Sequence, residues 1–145
     1  MSRPPPTRWP IKPRSPWRRR EAMSYMDGFV VAVPEANRQA YREMAERAWE
    51  VFRDYGALRM VECWGDDVPN GKVTDFRGAV KAEEGEVVVF SWIEWPSKEK
   101  RTQAHPKVMD DPRMKADAMK TMPFDGQRMI YGGFEPILDL SADRP

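Results

Sequence analysis

The spacing of the apolar residues changes twice between Tyr25 and Gly65, and that change constrains the fold more than any other feature of the chain. From Tyr25 to Val33, Phe29, Val31 and Val33 fall on one side and Val30 and Ala32 on the other, which predicts a strand at least partly covered on both faces. Pro34 stops it. From Glu35 to Tyr55, Tyr41, Met44, Ala45, Ala48, Val51, Phe52 and Tyr55 recur at three-and-four spacing, and Arg42, Glu43, Glu46, Arg47, Glu50 and Arg53 mark a solvated face, so a helix follows. Gly56 stands where a left-handed C-terminal residue belongs. Ala57 to Gly65 returns to alternation, with Leu58, Met60, Glu62 and Trp64 opposed to Arg59, Val61 and Cys63.

The second half repeats the theme after an interruption. Asp66 to Gly85 is dense in Asp, Gly, Pro and Lys and reads as a long excursion with a short extended piece near Phe76 to Ala82. Glu86 to Trp95 is the clearest strand pattern. Pro96 breaks it, and Ser97 is a good N-cap for a helix to about Met109. Pro112 to Phe124 is irregular, with one helical turn expected at Arg113 to Lys115, and Gln127 to Ile137 reads as the last strand. The order is β-α-β, a long loop, then β-α-β. That is too few strands for a doubly wound sheet and too many for a bundle. An α+β, ferredoxin-like βαββαβ arrangement, a four-stranded antiparallel sheet with two helices on one face, is the economical solution.

Composition narrows the setting. A chain of 145 residues with 41% hydrophobic and 32% charged residues has the makings of one globular domain. No apolar run approaches a membrane span. Cys63 is the only cysteine, so no internal disulfide forms, and with no apolar stretch of a secretory signal at the start a cytoplasmic location is expected. The net charge of +1 hides a division. Residues 1–22 carry seven cations against Glu21, among six prolines, while the remainder is acidic. Residues 1–22 are expected to form a disordered, basic, proline-rich extension, 23–140 the domain, and 141–145 a tail. The extension has two readings: a nucleic-acid arm in which Trp9 and Trp17 stack on bases, or translated upstream sequence with Met23 as the true start. The abrupt onset of pattern after Met23 favours the second, and a transit peptide fits the arginines but not the prolines.

A resemblance spans essentially everything from Met23 to Asp139. The block Tyr25 to Pro34 (YMDGFVVAVP), Gly56-Ala57-Leu58-Arg59 with Val61-Glu62-Cys63-Trp64, Asp67-Val68-Pro69 with Gly71 to Phe76, Phe90 to Glu94, Asp111 to Met114, and Met122 to Gly126 with Arg128 to Phe134 is similar to the YbaA-like proteins. These form a bacterial family of domains of unknown function, some of which carry the name of the signal recognition particle RNA. The resemblance implies the dimeric α/β barrel, in which two ferredoxin-like protomers face their sheets together, and supports Met23 as the start. It supplies no activity. Two helices cover one sheet face only, so the other would carry some of Val30, Val61, Trp64, Trp92, Trp95 and Tyr131, and a second copy of the chain is the expected cover. The acidic domain argues against a nucleic-acid partner.

Candidate chemistry is sparse. Glu62 and Glu94 lie on strands beside Trp64, Trp92 and Trp95. A carboxylate walled by indoles has a raised pKa and can act as acid or base, so these two are the catalytic candidates. Against that stands pairing with Arg59 or Arg128 across strands. Trp64, Trp92, Tyr131 and Arg59 are the candidate ligand-binding residues. His105 is the only histidine, but without an identified partner it reads as a helix-end residue, and related sequences have an amide there. Asp66, Asp67 and Asp75 match no calcium loop and are assigned to turns, so no metal site is expected. Gly71-Lys72 and Gly132-Gly133 lack the surroundings of a phosphate loop. Cys63 reads as a small buried strand residue. No cofactor is called for. The leading expectation is a homodimer that binds a small apolar or aromatic molecule in the barrel. The alternatives are a cofactor-independent monooxygenase-like or isomerase-like enzyme by analogy of fold, and a non-catalytic stress or interaction protein whose sheet face only dimerises.

Overall fold

The computed structural model describes residues 3, 17–19 and 24–142, with the backbone alone for 17–19. The chain divides into two compact units, 23–136 and the pair of end segments 1–22 and 137–145. In the second unit, β1 (Trp17–Arg19) pairs antiparallel with β6 (Leu140–Ala142). The expectation of disorder for 1–22 otherwise falls outside the described residues.

The larger unit runs β2 (Tyr25–Pro34), α1 (Arg38–Asp54), β3 (Arg59–Trp64), α2 (Phe76–Ala79), β4 (Glu86–Trp95), α3 (Lys98–Asp110), α4 (Pro112–Ala118) and β5 (Ile130–Phe134). Short 3-10 turns, Glu35–Asn37 and Gly126–Arg128, precede α1 and β5. The sheet order β3-β4-β2-β5 is antiparallel throughout, so the fold is α+β and ferredoxin-like.

Local chemistry explains the boundaries. Gly56 takes φ +111 after α1, a conformation that favours glycine. The Ser97 hydroxyl accepts from the Lys100 amide at 3.1 Å and starts α3. Asp111 closes α3 and opens α4, accepting from the Arg113 amide at 2.9 Å. The expected extended piece near Phe76 is instead the short helix α2. Asp75 caps it by accepting from the Gly78 amide at 2.6 Å while also holding the Gly71 amide at 3.0 Å, a local side-chain bond that outcompetes extension. The single turn expected after Pro112 extends to seven residues, and the last strand is shorter than its apolar pattern because the turn at Gly126 consumes its beginning.

The register defines two faces. Asp27, Val31 and Val33 of β2 and Val89, Ser91, Ile93 and Trp95 of β4 share the face that carries the helices. There Tyr41 and Met44 of α1 pack on Val31, Val33 and Val89, while Trp49 and Phe52 of α1 and Ala104 of α3 pack around Ile93 and Trp95. Each fully buried aliphatic side chain here contributes about 1.5–3 kcal/mol. The opposite face holds Met26, Val30, Val61, Phe90, Trp92, Ile130 and Phe134. One end of it is covered by Val80 and Ala82, which follow α2 and pack on Ala32 and Val88. Phe76 meets Phe90 edge to face.

Candidate functional site

A groove with convergent polar groups lies between α1 and the edge strand β3. It has a volume of about 760 Å³. Helical spacing sets one wall: Arg38, Arg42, Ala45, Trp49 and Arg53 recur along one side of α1. Strand alternation sets the other, because Met60, Glu62 and Trp64 share the helix-side face of β3. In the middle, the Tyr41 hydroxyl donates to Glu62 Oε1 at 2.6 Å.

That pair has shifted acidities. Glu62 keeps an exposed surface in the groove, yet partial loss of water raises its carboxyl above its ordinary value, opposed by the hydrogen bond from Tyr41. Burial, then the nearby Glu62 charge, pushes the Tyr41 phenol far up, so it stays a donor. Arg38 lies over the Trp64 ring, 5.4 Å from its centroid, at one end of the groove. Arg42 pairs with Glu46 at 3.2 Å and Arg53 lies 3.8 Å from Asp54, whereas neither Arg38 nor Arg59 has an acidic partner among the described residues. A hydrogen-bonding carboxyl, aromatic walls and unpaired guanidinium groups can hold a planar molecule and receive a proton from it.

The residues named from sequence fall into separate places. Glu62, Trp64 and Arg59 line this groove. Trp92 and Tyr131 do not; they border an apolar recess on the other side of the sheet, about 610 Å³, with Met26, Val30, Phe90, Ile130 and Phe134. The Phe134 ring lies over the paired Gly28 and Gly132, where an added Cβ would meet it at 3.3 and 3.5 Å. Glu94 lies on this open face opposite Arg59, only 9% exposed, and lines neither depression. Trp64 and Trp95 turn to the helix side, and Tyr131, 70% exposed, shares the register of Phe29, so three of the six residues named for the open face belong to the other parity. The expected cross-strand pairing is also corrected. Arg128 clasps Glu86 with two bonds of 2.7 Å and does not reach Glu62 or Glu94. Cys63 is exposed, because β3 lies at the edge of the sheet and no element among the described residues covers it there.

A polar cluster went unseen in the sequence. Asp27, 2% exposed, accepts from Trp95 Nε1 at 2.9 Å and from Arg101 Nε at 3.0 Å, and its Oδ2 lies 2.9 Å from His105 Nε2. His105 is therefore anchored, not a free helix-end residue. The signal was available: Arg101 and His105 are four apart on a helix, and an acid sits in the otherwise apolar β2. No metal-holding group of three or more His, Cys, Asp or Glu occurs among the described residues.

Fold and groove together define a small ferredoxin-like domain that carries a ligand-sized depression between its first helix and edge strand. The chain belongs to the family described as "Protein of unknown function (DUF1428)", whose pattern matches residues 24–126. It is 67% identical over 117 residues to the uncharacterized protein YbaA of Escherichia coli strain K12, a match covering 81% of this chain and 99% of that protein. The Shigella flexneri protein of the same name matches equally. Among solved structures, a variant of SnoaB, a cofactor-independent oxygenase from Streptomyces nogalater, aligns over 80% of this chain and 95% of its own, at 15% identity and a TM-score of 0.43. No helix among the described residues is long and apolar enough to cross a membrane.

Proposed function

We propose that this protein is a homodimeric binding domain that takes a small aromatic molecule in the groove between α1 and β3, with Glu62 as the group that meets the ligand's polar end. The observation that carries this reading is the Tyr41–Glu62 hydrogen bond of 2.6 Å inside an open groove walled by Trp49, Met60 and Trp64. A carboxyl whose only role was packing would be replaced at little cost by an apolar residue, whereas one kept in contact with a cavity can serve a ligand. Its raised pKa suits it to proton transfer, which is the step through which any catalysis here would run.

Dimerisation rests on a separate observation. Met26, Val30, Trp92, Ile130 and Phe134 form a continuous apolar surface on the open sheet face, and Phe134 and Ile130 are 61% and 45% exposed. A second copy, presenting the same apolar surface, is a self-complementary cover.

The test is an NMR titration of the full chain with phenol and 2-naphthol. Shift changes confined to Tyr41, Trp49, Met60, Glu62 and Trp64 support the groove. Changes confined to Met26, Trp92 and Phe134 move the binding function to the open face and refute the groove reading, as does saturation of the solution without any change.

A further inference from the structure

Two cations on the groove, Arg38 and Arg59, have no acidic partner among the described residues. Arg38 stacks on Trp64, so the indole holds one face of the guanidinium while its edge donors have no partner among the described residues. Glu62 lies two residues along the same strand face as Trp64, about 6.6 Å away at the usual rise of a strand. Backbone positions that far apart let a single six-membered ring with a substituent at each end reach both groups. The Tyr41 hydroxyl takes one of the four lone-pair positions on the Glu62 carboxylate, which leaves capacity to accept a further donor.

We infer that the groove selects small aromatic anions: a single ring bearing a carboxylate, which Arg38 receives, and at its opposite end a hydroxyl, which donates to Glu62. The inference rests on the groove reading above and adds the charge and the spacing of the ligand to it. Charge balance favours the assignment. Arg42 is neutralised by Glu46 along α1 and Arg53 lies beside Asp54, so the Arg38 end of the groove holds a positive charge without an acidic partner among the described residues. A carboxylate placed there forms charge-assisted hydrogen bonds against an aromatic wall, the arrangement in which arginine outperforms lysine. The same carboxylate at the middle of the groove would face Glu62 and be repelled, so the ligand has one orientation.

The experiment compares 4-hydroxybenzoate with phenol and benzoate on the full chain, by calorimetry and by NMR, with Arg38→Gln alongside. Arg38 is exposed and makes no ion pair among the described residues, so the variant folds as the parent does, which its spectrum checks. The expected result is at least roughly tenfold tighter binding of 4-hydroxybenzoate than of phenol, the factor expected of one charged hydrogen bond at a partly exposed site. In Arg38→Gln the ratio of the two affinities falls to about one, and raising the salt concentration narrows the gap in the parent. Equal affinity of the parent for phenol and 4-hydroxybenzoate, with shifts still in the groove, overturns the anion inference alone. Absence of shifts at Tyr41, Glu62 and Trp64 with every probe overturns the groove reading itself.

Discussion

Removing the carboxylate of Asp27 should cost this domain more than any other single surface-to-core polar change. Asp27 is 2% exposed and is the shared acceptor for the Trp95 indole, the Arg101 guanidinium and His105. In Asp27→Ala the indole N–H of Trp95, a residue with no exposed surface, loses its acceptor, and such an orphaned donor costs about 1–3 kcal/mol. The Arg101 side chain, 20% exposed, is left as a nearly buried charge without its counter-ion, and breaking a buried pair from one side costs about 3–5 kcal/mol. Water reaching Arg101 and His105, whose side chain is 37% exposed, offsets part of this. A net loss of about 3 kcal/mol follows, equivalent to roughly 12 °C in Tm for a domain of this size. Urea and thermal unfolding followed by circular dichroism at pH 7 measure it directly. His105→Gln keeps a donor toward Asp27 and should lose less than about 1 kcal/mol. A loss below 1 kcal/mol for Asp27→Ala would show that the cluster is not the pin between α3 and the sheet that its geometry describes.

Three further outcomes are expected. Arg128 holds the Glu86 carboxyl down to about 2, against an ordinary 4.5. The folded pKa is the lower one, so this stabilisation, about 3 kcal/mol, is complete above pH 4.5 and disappears as pH falls toward 2; in Arg128→Met, urea midpoints at pH 7 and pH 2.5 should differ by correspondingly less than in the parent. Tyr41→Phe removes a hydrogen bond that favours the ionised Glu62, so the Glu62 pKa, already raised by burial, should rise further, as read from its side-chain carboxyl carbon by NMR; a fall would contradict the assigned geometry. Trp92→Glu places a charge in the middle of the open apolar face and should convert a dimer to a monomer in light scattering at micromolar concentration, while an unchanged mass would remove that face from the interface.

What could be read in advance followed from backbone periodicity. The alternation in Tyr25 to Val33 and Glu86 to Trp95, the three-and-four spacing from Tyr41 to Tyr55, and the punctuation by Pro34, Gly56 and Ser97 each act within a few residues, and each element appears where those signals place it. Where a local side-chain bond competes with an apolar pattern, periodicity misleads, as Asp75 does for α2 and Asp125 for the turn before β5. The site was legible only in part. Glu62, Trp64 and Arg59 share a groove, but Trp92, Tyr131 and Glu94 lie elsewhere.

The chain's own order of residues determined the β-α-β halves, the parity of each strand and the candidate acids, because those depend on neighbours close in sequence. Only the tertiary structure decided which parity meets the helices, which strand lies at the edge, and which donors converge on Asp27. Those are pairings across 50 to 80 residues, between Tyr55 and Asp111 or between Asp27 and His105, that no local period encodes. Buried charge must find its partners wherever packing brings them. The free energy that selects His105 as one of those partners exists only once α3 lies on the sheet.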